Sequence, residues 1–285
     1  MKHKNLKLPN GSNPVPLGRS GGACSIVIIG TGNVAQHIVE SFQSKKDICL
    51  IQIFNHRNSK EAKQFSKQFK CDLVSDYNLI DKSADVYIIA VKDDAIAEVA
   101  KQLAFLKLKG LVVHTSGSVE MNVLKNISGK IGVYYPLQTF YKGAIIDWKR
   151  APLLIEGNST LVINKLKHLA VLVSDKVKQV NSQKRLQIHL AAVFACNFTN
   201  AMYVAAFEII ENNIGKKDTD LLLPIMQQSF QKLQKVHPKS AQTGPAMRND
   251  KLVMKKHLQL LKDDKQLSHV YAVLSDLIMK QQNQD

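Results

Sequence analysis

The sequence predicts an α/β fold, a doubly wound parallel sheet followed by a smaller all-helical C-terminal domain, and three observations carry that prediction. From Ser25 onward, short apolar β-branched runs alternate with polar windows of helical period, as strands of a parallel sheet alternate with the helices that cover it. The first run leads straight into a glycine-rich turn, Gly30-Thr31-Gly32-Asn33-Val34-Ala35, that opens a helical window. Beyond about Val180 the strand signals stop and apolar residues recur at helical spacing instead.

The first strand is expected at 25–29 with a helix at 33–42, and the second pair at 48–54 and 59–69. A short strand follows at 72–74. Residues 86–91 are apolar throughout, as a central strand covered on both faces should be, and Asp93 and Asp94 then open a helix to Leu106. Strands are also expected at 111–114, 132–135 and 152–155. The window 183–213 carries Leu186, Leu190, Val193, Phe194, Met202, Ala205 and Ile209 at helical spacing, and its length suits the central helix of a second domain. Further helices are expected at 218–236, 250–261 and 265–280. The domain bounds become 24–180 and 181–285, after a flexible tail at 1–23 that is rich in Gly, Pro, Ser and Asn and lacks the apolar core of a signal peptide.

With 285 residues, 45% of them hydrophobic, the chain can bury one large core or two modest ones. No uninterrupted apolar run reaches the roughly 18–20 residues of a membrane span, so no membrane association is expected. Cys24, Cys49, Cys71 and Cys196 are widely spaced and lie in or beside apolar runs, the pattern of reduced cysteines in a cytoplasmic protein; neither disulfides nor a metal site is expected. The net charge of +16 raises nucleic acid as a ligand. The lysines are spread over most predicted helices, however, and no nucleic-acid module is present, so the charge reads as a basic solvated surface that also attracts anionic ligands.

In the glycine-rich turn, Gly30 permits a tight bend, Gly32 lets the backbone approach a pyrophosphate, and Ala35 keeps the helix close to the sheet. With Thr31, Asn33 and Val34 they form a Rossmann-type dinucleotide cradle. An NAD site would carry an acid at the end of the second strand to hold the ribose 2′-hydroxyl. None stands there; Asn55, Arg57 and Ser59 instead offer a cation and neutral donors that fit a 2′-phosphate, so NADP(H) is expected over NAD(H), although Arg57 also reads as a solvated residue after a strand. Val91, Lys92 and Asp93 end the central strand along the cofactor path, and His114 and Thr115 end the next. Ser116 and Ser118 then fall where nicotinamide and substrate meet, though a hydroxyl at Ser118 equally suits a helix cap.

The glycine turn, His114-Thr115-Ser116-Gly117-Ser118, Tyr135-Pro136-Leu137-Gln138-Thr139-Phe140, the run His189 to Phe198 and Gly244 to Asp250 together resemble a bacterial family of Rossmann-like oxidoreductases whose members carry a helical C-terminal domain of unknown function. That family is similar to pyrroline-5-carboxylate reductase, to deazaflavin-dependent NADP reductases, and to the 6-phosphogluconate and 3-hydroxyacid dehydrogenases. The resemblance implies an NADP-dependent oxidoreductase that forms a homodimer through its helical domain, itself 6-phosphogluconate dehydrogenase C-terminal-like. The 3-hydroxyacid dehydrogenases carry a catalytic Lys and an Asn four residues apart on the equivalent helix. Here Lys184 and Arg185 stand just before that helix and His189 precedes Asn197 by eight residues, a departure from the pattern.

Read from the residues, His189, Asn197 and Asn200 share one helical face with Val193, a polar stripe that costs stability unless satisfied or used. Histidine suits proton transfer near neutral pH, which makes His189 the expected proton donor and Asn197 and Ser116 its catalytic companions; the alternative is an interior histidine satisfied between helices. Ser118, Asn200 and Arg248 are the candidate substrate-binding residues, although Arg248 could also pair with Asp250 or a partner subunit. The expected activity is hydride transfer between NADP(H) and a small carbonyl, hydroxy or imine substrate in the interdomain cleft. The alternatives are a pyrroline-5-carboxylate-type imine reductase and a non-catalytic NADP-binding sensor or scaffold.

Overall fold

The computed structural model describes residues 22–282; of the expected tail, only Gly22 and Ala23 are among the described residues. Eight strands form one sheet in the order β3-β2-β1-β4-β5-β6-β7-β8. They are β1 (Cys24–Ile29), β2 (Ile48–Phe54), β3 (Asp72–Val74), β4 (Val86–Ile89), β5 (Leu111–His114), β6 (Ile131–Pro136), β7 (Leu153–Gly157) and β8 (Val177–Gln179). From β3 to β6 all neighbours are parallel. The winding reverses between β1 and β4, the place where open α/β sheets leave a crevice at their carboxyl edge.

Strand alternation sorts the core into two layers. Ile26, Ile28, Val86, Ile88, Leu111 and Val113 face α1 (Asn33–Phe42), Phe65 of α2 (Lys60–Phe69) and α4 (Thr160–Val171). Val27, Ile29, Tyr87, Ile89 and Val112 turn the other way, onto α3 (Ile96–Ala104) and the segment holding Leu124 and Ile127. A sheet covered on both faces is what the continuous apolar runs predict.

Three features depart from expectation. β7 runs antiparallel to β6, with Val133 opposite Glu156 and Tyr135 opposite Leu154, and β8 then runs parallel to β7. An apolar run such as Leu153–Ile155 packs equally well in either direction, so its composition does not record the reversal. Helix α4 and strand β8 lie in a stretch where sequence periodicity marked nothing. The strand expected at 86–91 ends at Ile89, because Ala90 and Val91 already belong to the crevice wall.

The chain divides into two compact units, one through Cys196 and one from Asn197 onward. The long helix expected at 183–213 is continuous, but it contains a π-helical segment, Val193–Phe198, between α5 (Ser182–Ala192) and α6 (Thr199–Asn213). By length and composition this helix could cross a membrane: its most apolar window has a mean hydropathy of 1.5, and none of that window is buried. A search for unbroken apolar runs misses it because isolated polar residues interrupt the run. The second unit continues with a 3₁₀ segment, Lys216–Leu222, then α7 (Leu223–Leu233), α8 (Pro238–Ala241), α9 (Lys251–Leu260) and α10 (Lys265–Gln282). The single helix expected at 218–236 is thus two pieces, with Pro224 in the first turn of α7, where its missing N–H costs nothing.

Candidate functional site

The carboxyl ends of β1, β2 and β4 wall a cavity of about 470 Å³. Gly30, Thr31, Gly32, Asn33 and Val34 form one wall, Phe54, Asn55 and His56 another, and Ala90, Val91 and Lys92 a third; Tyr77, Val99 and Phe140 complete the lining. Gly30 has φ +109°, and a Cβ there would run into the Ala90 carbonyl, so the turn admits only glycine. Gly32 is the N-cap of α1, a Cβ there would meet open space, and no side chain caps the helix. Unfilled room in front of uncapped first-turn amides is the environment a pyrophosphate takes, and the cradle fits a dinucleotide.

Asn55 braces this turn rather than standing free. Its Nδ2 donates to Thr31 Oγ1 at 2.5 Å, and its Oδ1 accepts from the Arg57 N–H at 3.1 Å. Ser59 caps α2, accepting from the Ala62 N–H at 3.2 Å, and its hydroxyl helps hold the Glu61 carboxyl below its ordinary range, after that residue's own backbone N–H. Arg57 is exposed and forms no ion pair among the described residues. Of the three residues expected at a 2′-phosphate, two are therefore committed to local structure and Arg57 is left to meet an anion.

Phe140 reaches the cavity from the loop after β6. Asn33 Nδ2 donates to its carbonyl at 3.4 Å, its ring stacks on His37 at 5.4 Å, and the Trp148 ring lies 5.9 Å away. His37 also contacts the Tyr141 carbonyl through Nε2 at 3.0 Å.

The turn after β5 carries the next group of expected residues. His114 is fully buried, and its Nδ1 accepts from the Ser116 N–H at 3.2 Å. Burial, and then the positive charge of Arg185, lower its pKa to about 4, so the ring is neutral and shapes the turn instead of lining the cavity. Thr115 is also buried, its hydroxyl turned to the Ile89 carbonyl at 3.4 Å. Ser116 Oγ donates to Asp93 Oδ2 at 2.7 Å and accepts from the N–H groups of Ser118 and Val119 at 3.0 Å each. Ser118 Oγ donates to the same carboxylate oxygen at 2.5 Å. Neither serine caps a helix, since the next helical segment, Met121–Leu124, has no side-chain cap; the Ser116 hydroxyl is used up by the turn, and Asp93 gathers both serines.

Beside this turn Tyr135 Oη lies 3.0 Å from His189 Nδ1, with the two rings 6.0 Å apart at 75°. A Cβ on the buried Gly117 would come within 2.7 Å of that nitrogen and 2.8 Å of Tyr135 Cζ. The reversal of β7 explains how α5 arrives here. Glu156, level with Val133, accepts from Ser182 and pairs with the buried Arg185, which also donates to the Val119 carbonyl. Four helical residues on, about 6 Å at 1.5 Å each, the chain has climbed two strand residues and presents His189 level with Tyr135. Lys184 and Arg185 therefore lie within the helix, not before it.

Asn197 and Asn200 are exposed and belong to the second unit. Asn197 lies inside the π segment, and with it and Asn200 exposed and His189 only partly covered, the expected buried polar face does not form. Arg248 is exposed in a turn where Gly244 has φ +107° and Asp250 caps α9, accepting from the Val253 N–H at 3.2 Å. His257 is held by Tyr271 at 2.9 Å. Sequence reasoning missed Tyr77 and Val99, which come from a 3₁₀ turn and a helix with no motif, and it quoted Tyr135 and Phe140 without a role. The alternation of strand β6 was the available signal: Tyr134 packs into one core layer, so its neighbour points to the opposite face of the sheet.

Two family models match the chain: "NADP oxidoreductase coenzyme F420-dependent" over residues 25–116 and "Domain of unknown function (DUF2520)" over 151–278. Among solved structures, a "putative NADP oxidoreductase" from Bacteroides fragilis is 35% identical, with a TM-score of 0.84, over 90% of this chain and 98% of that one. A reductive aminase from Aspergillus terreus in complex with NADPH and ethyl-5-oxohexanoate is 14% identical (TM-score 0.67, 92% and 94% covered). A 1-pyrroline-5-carboxylate reductase from Streptococcus pyogenes is 16% identical (TM-score 0.58, 90% and 99% covered). These last two share the fold. No curated protein matches the sequence.

Proposed function

The chain belongs to the family of the Bacteroides fragilis protein, a Rossmann oxidoreductase domain joined to DUF2520, and from that membership we propose that it transfers a hydride between NADP(H) and a small carbonyl, hydroxy or imine compound. The observation that carries this reading is the cavity at the switch point of the sheet, with a glycine cradle at one wall and, one residue past His56 of another, Arg57 exposed and without an ion pair among the described residues. Bound there, NADPH would supply the hydride. The chain's part is to hold the pyrophosphate on the amides of Asn33 to Ala35, to meet the 2′-phosphate with Arg57, and to keep a proton at His189 for the reacting heteroatom.

The hydroxyls of Ser116 and Ser118 donate to Asp93 and Thr115 is turned inward, which leaves the β5 turn with a carboxylate and no free hydroxyl donor for an anion. That favours a neutral or cationic imine, or a carbonyl, over a substrate carboxylate such as that of pyrroline-5-carboxylate. A second copy of the chain is the proposed partner, seated on the exposed apolar residues of the long helix.

Calorimetric titration with NADPH and NADH tests the cofactor assignment. NADPH should bind at least about tenfold more tightly, and Arg57→Ala should erase most of that preference, since tenfold corresponds to about 1.4 kcal/mol and one charge-assisted phosphate contact is worth that much. Equal affinity for both, unchanged in the variant, removes the NADP preference. A protein that binds NADPH but reduces no member of a ketone, aldehyde and cyclic-imine panel is a sensor.

A further inference from the structure

We propose that Tyr135 is the residue that hands the proton to the substrate, with His189 standing behind it as its proton reservoir. This rests on the hydride-transfer reading above, and it assigns a group that reading left idle.

The pair is built, not incidental. Tyr135 Oη and His189 Nδ1 are 3.0 Å apart, and they close on Gly117 so tightly that any side chain there would collide with both rings. The turn holding Gly117 is tied to the cavity wall, because Ser116 and Ser118 both donate to Asp93, which follows the wall residue Lys92. In the parallel register of β5 and β6, His114 lies beside Val133, so Tyr135 stands level with Ser116 at the carboxyl edge. The half-buried phenol titrates above its ordinary range through burial and then the charge of Asp93, against an opposing pull from Arg185. It therefore carries its proton at neutral pH, as a donor must. His189 Nδ1 is already directed at Tyr135, so a proton leaving that nitrogen passes through the phenol.

The step balances. As a hydride adds to the carbon of a C=N or C=O group, the π electron pair moves onto the heteroatom, which takes the Tyr135 Oη proton. The phenolate recovers the Nδ1 proton of a protonated His189, and the neutral imidazole left behind takes up the one proton that the reduction consumes from solvent. NADPH is the reductant.

Two measurements on the full-length protein test this. With 2-methyl-1-pyrroline and NADPH, Tyr135→Phe should lower kcat at least about 100-fold while the NADPH Kd changes less than about twofold, and His189→Asn should displace the pH profile of kcat. The second measurement needs no substrate. In protein labelled with ¹⁵N-histidine, the His189 resonance should titrate differently in the NADP⁺ and NADPH complexes, because only the oxidised ring carries positive charge, and in Tyr135→Phe its Nδ1 signal should move. Identical His189 titration in both complexes overturns the proposal, as does a Tyr135→Phe enzyme of wild-type kcat. Failure to bind either nicotinamide nucleotide instead overturns the function proposed above.

Discussion

His114 lies fully buried at the end of β5 with its ring neutral, and its pKa in the folded protein is lowered to about 4. In an unfolded chain a histidine takes up its proton near pH 6.5. Between these values the unfolded state holds a proton that the native state refuses, so stability falls as pH drops from about 6.5 toward 4 and is unaffected by this group above 6.5. At roughly 1.4 kcal/mol per pKa unit, the loss should reach about 3 kcal/mol. Urea denaturation across pH 4–7 should show that slope in the wild type and a flatter one in His114→Asn; equal slopes reject the assignment. Such single-residue effects were only partly legible. The conformation of Gly30 could be placed from the sequence, because its turn follows directly from a strand end. The Tyr135–His189 pair could not, since the partners are 54 residues apart and meet only because a third element, at Gly117, leaves them room.

At the level of elements, the first unit depends on how α5 is fastened to β7. Arg185 is buried and its guanidinium is shared between Glu156 and the Val119 carbonyl, while Ser182 serves the same carboxylate. Removing one partner of a buried pair leaves the other charge uncompensated, so Arg185→Met should cost about 3–5 kcal/mol in chemical denaturation. The double variant Arg185→Met with Glu156→Gln should recover part of that loss. Additive losses would mean that the pair is not coupled. The parallel core of the sheet followed from its continuous apolar runs and the glycine turn. The reversed strand did not, and β8, three residues with only Val177 partly buried, has too little pattern to register. The π segment was equally hidden, because an extra residue per turn leaves no mark on composition.

In the molecule as a whole, the helix Ser182–Asn213 exposes large apolar side chains along its length. Leu190, Phe194 and Phe198 are 56%, 61% and 51% exposed, and Ile225 and Phe230 of α7 add to the apolar area. The sequence pattern gave this helix correctly as long and apolar, but periodicity cannot say whether an apolar face meets its own domain or another chain. If a second copy covers it, light scattering should give twice the 31.8 kDa chain mass without detergent, and Leu190→Glu with Phe194→Glu should yield monomers or aggregates. A wild-type monomer that floats with lipid vesicles would instead assign this face to a membrane.

Trp148 is the one tryptophan of the chain, and its indole packs against Phe140, itself part of the cavity lining. The molecule thus carries a built-in optical reporter beside its nucleotide crevice. Emission from this indole overlaps the absorption of reduced nicotinamide, so occupancy can be followed as energy transfer in unlabelled protein, with one donor and no background from other indoles. Trp148→Phe would silence the signal while keeping an aromatic ring against Phe140.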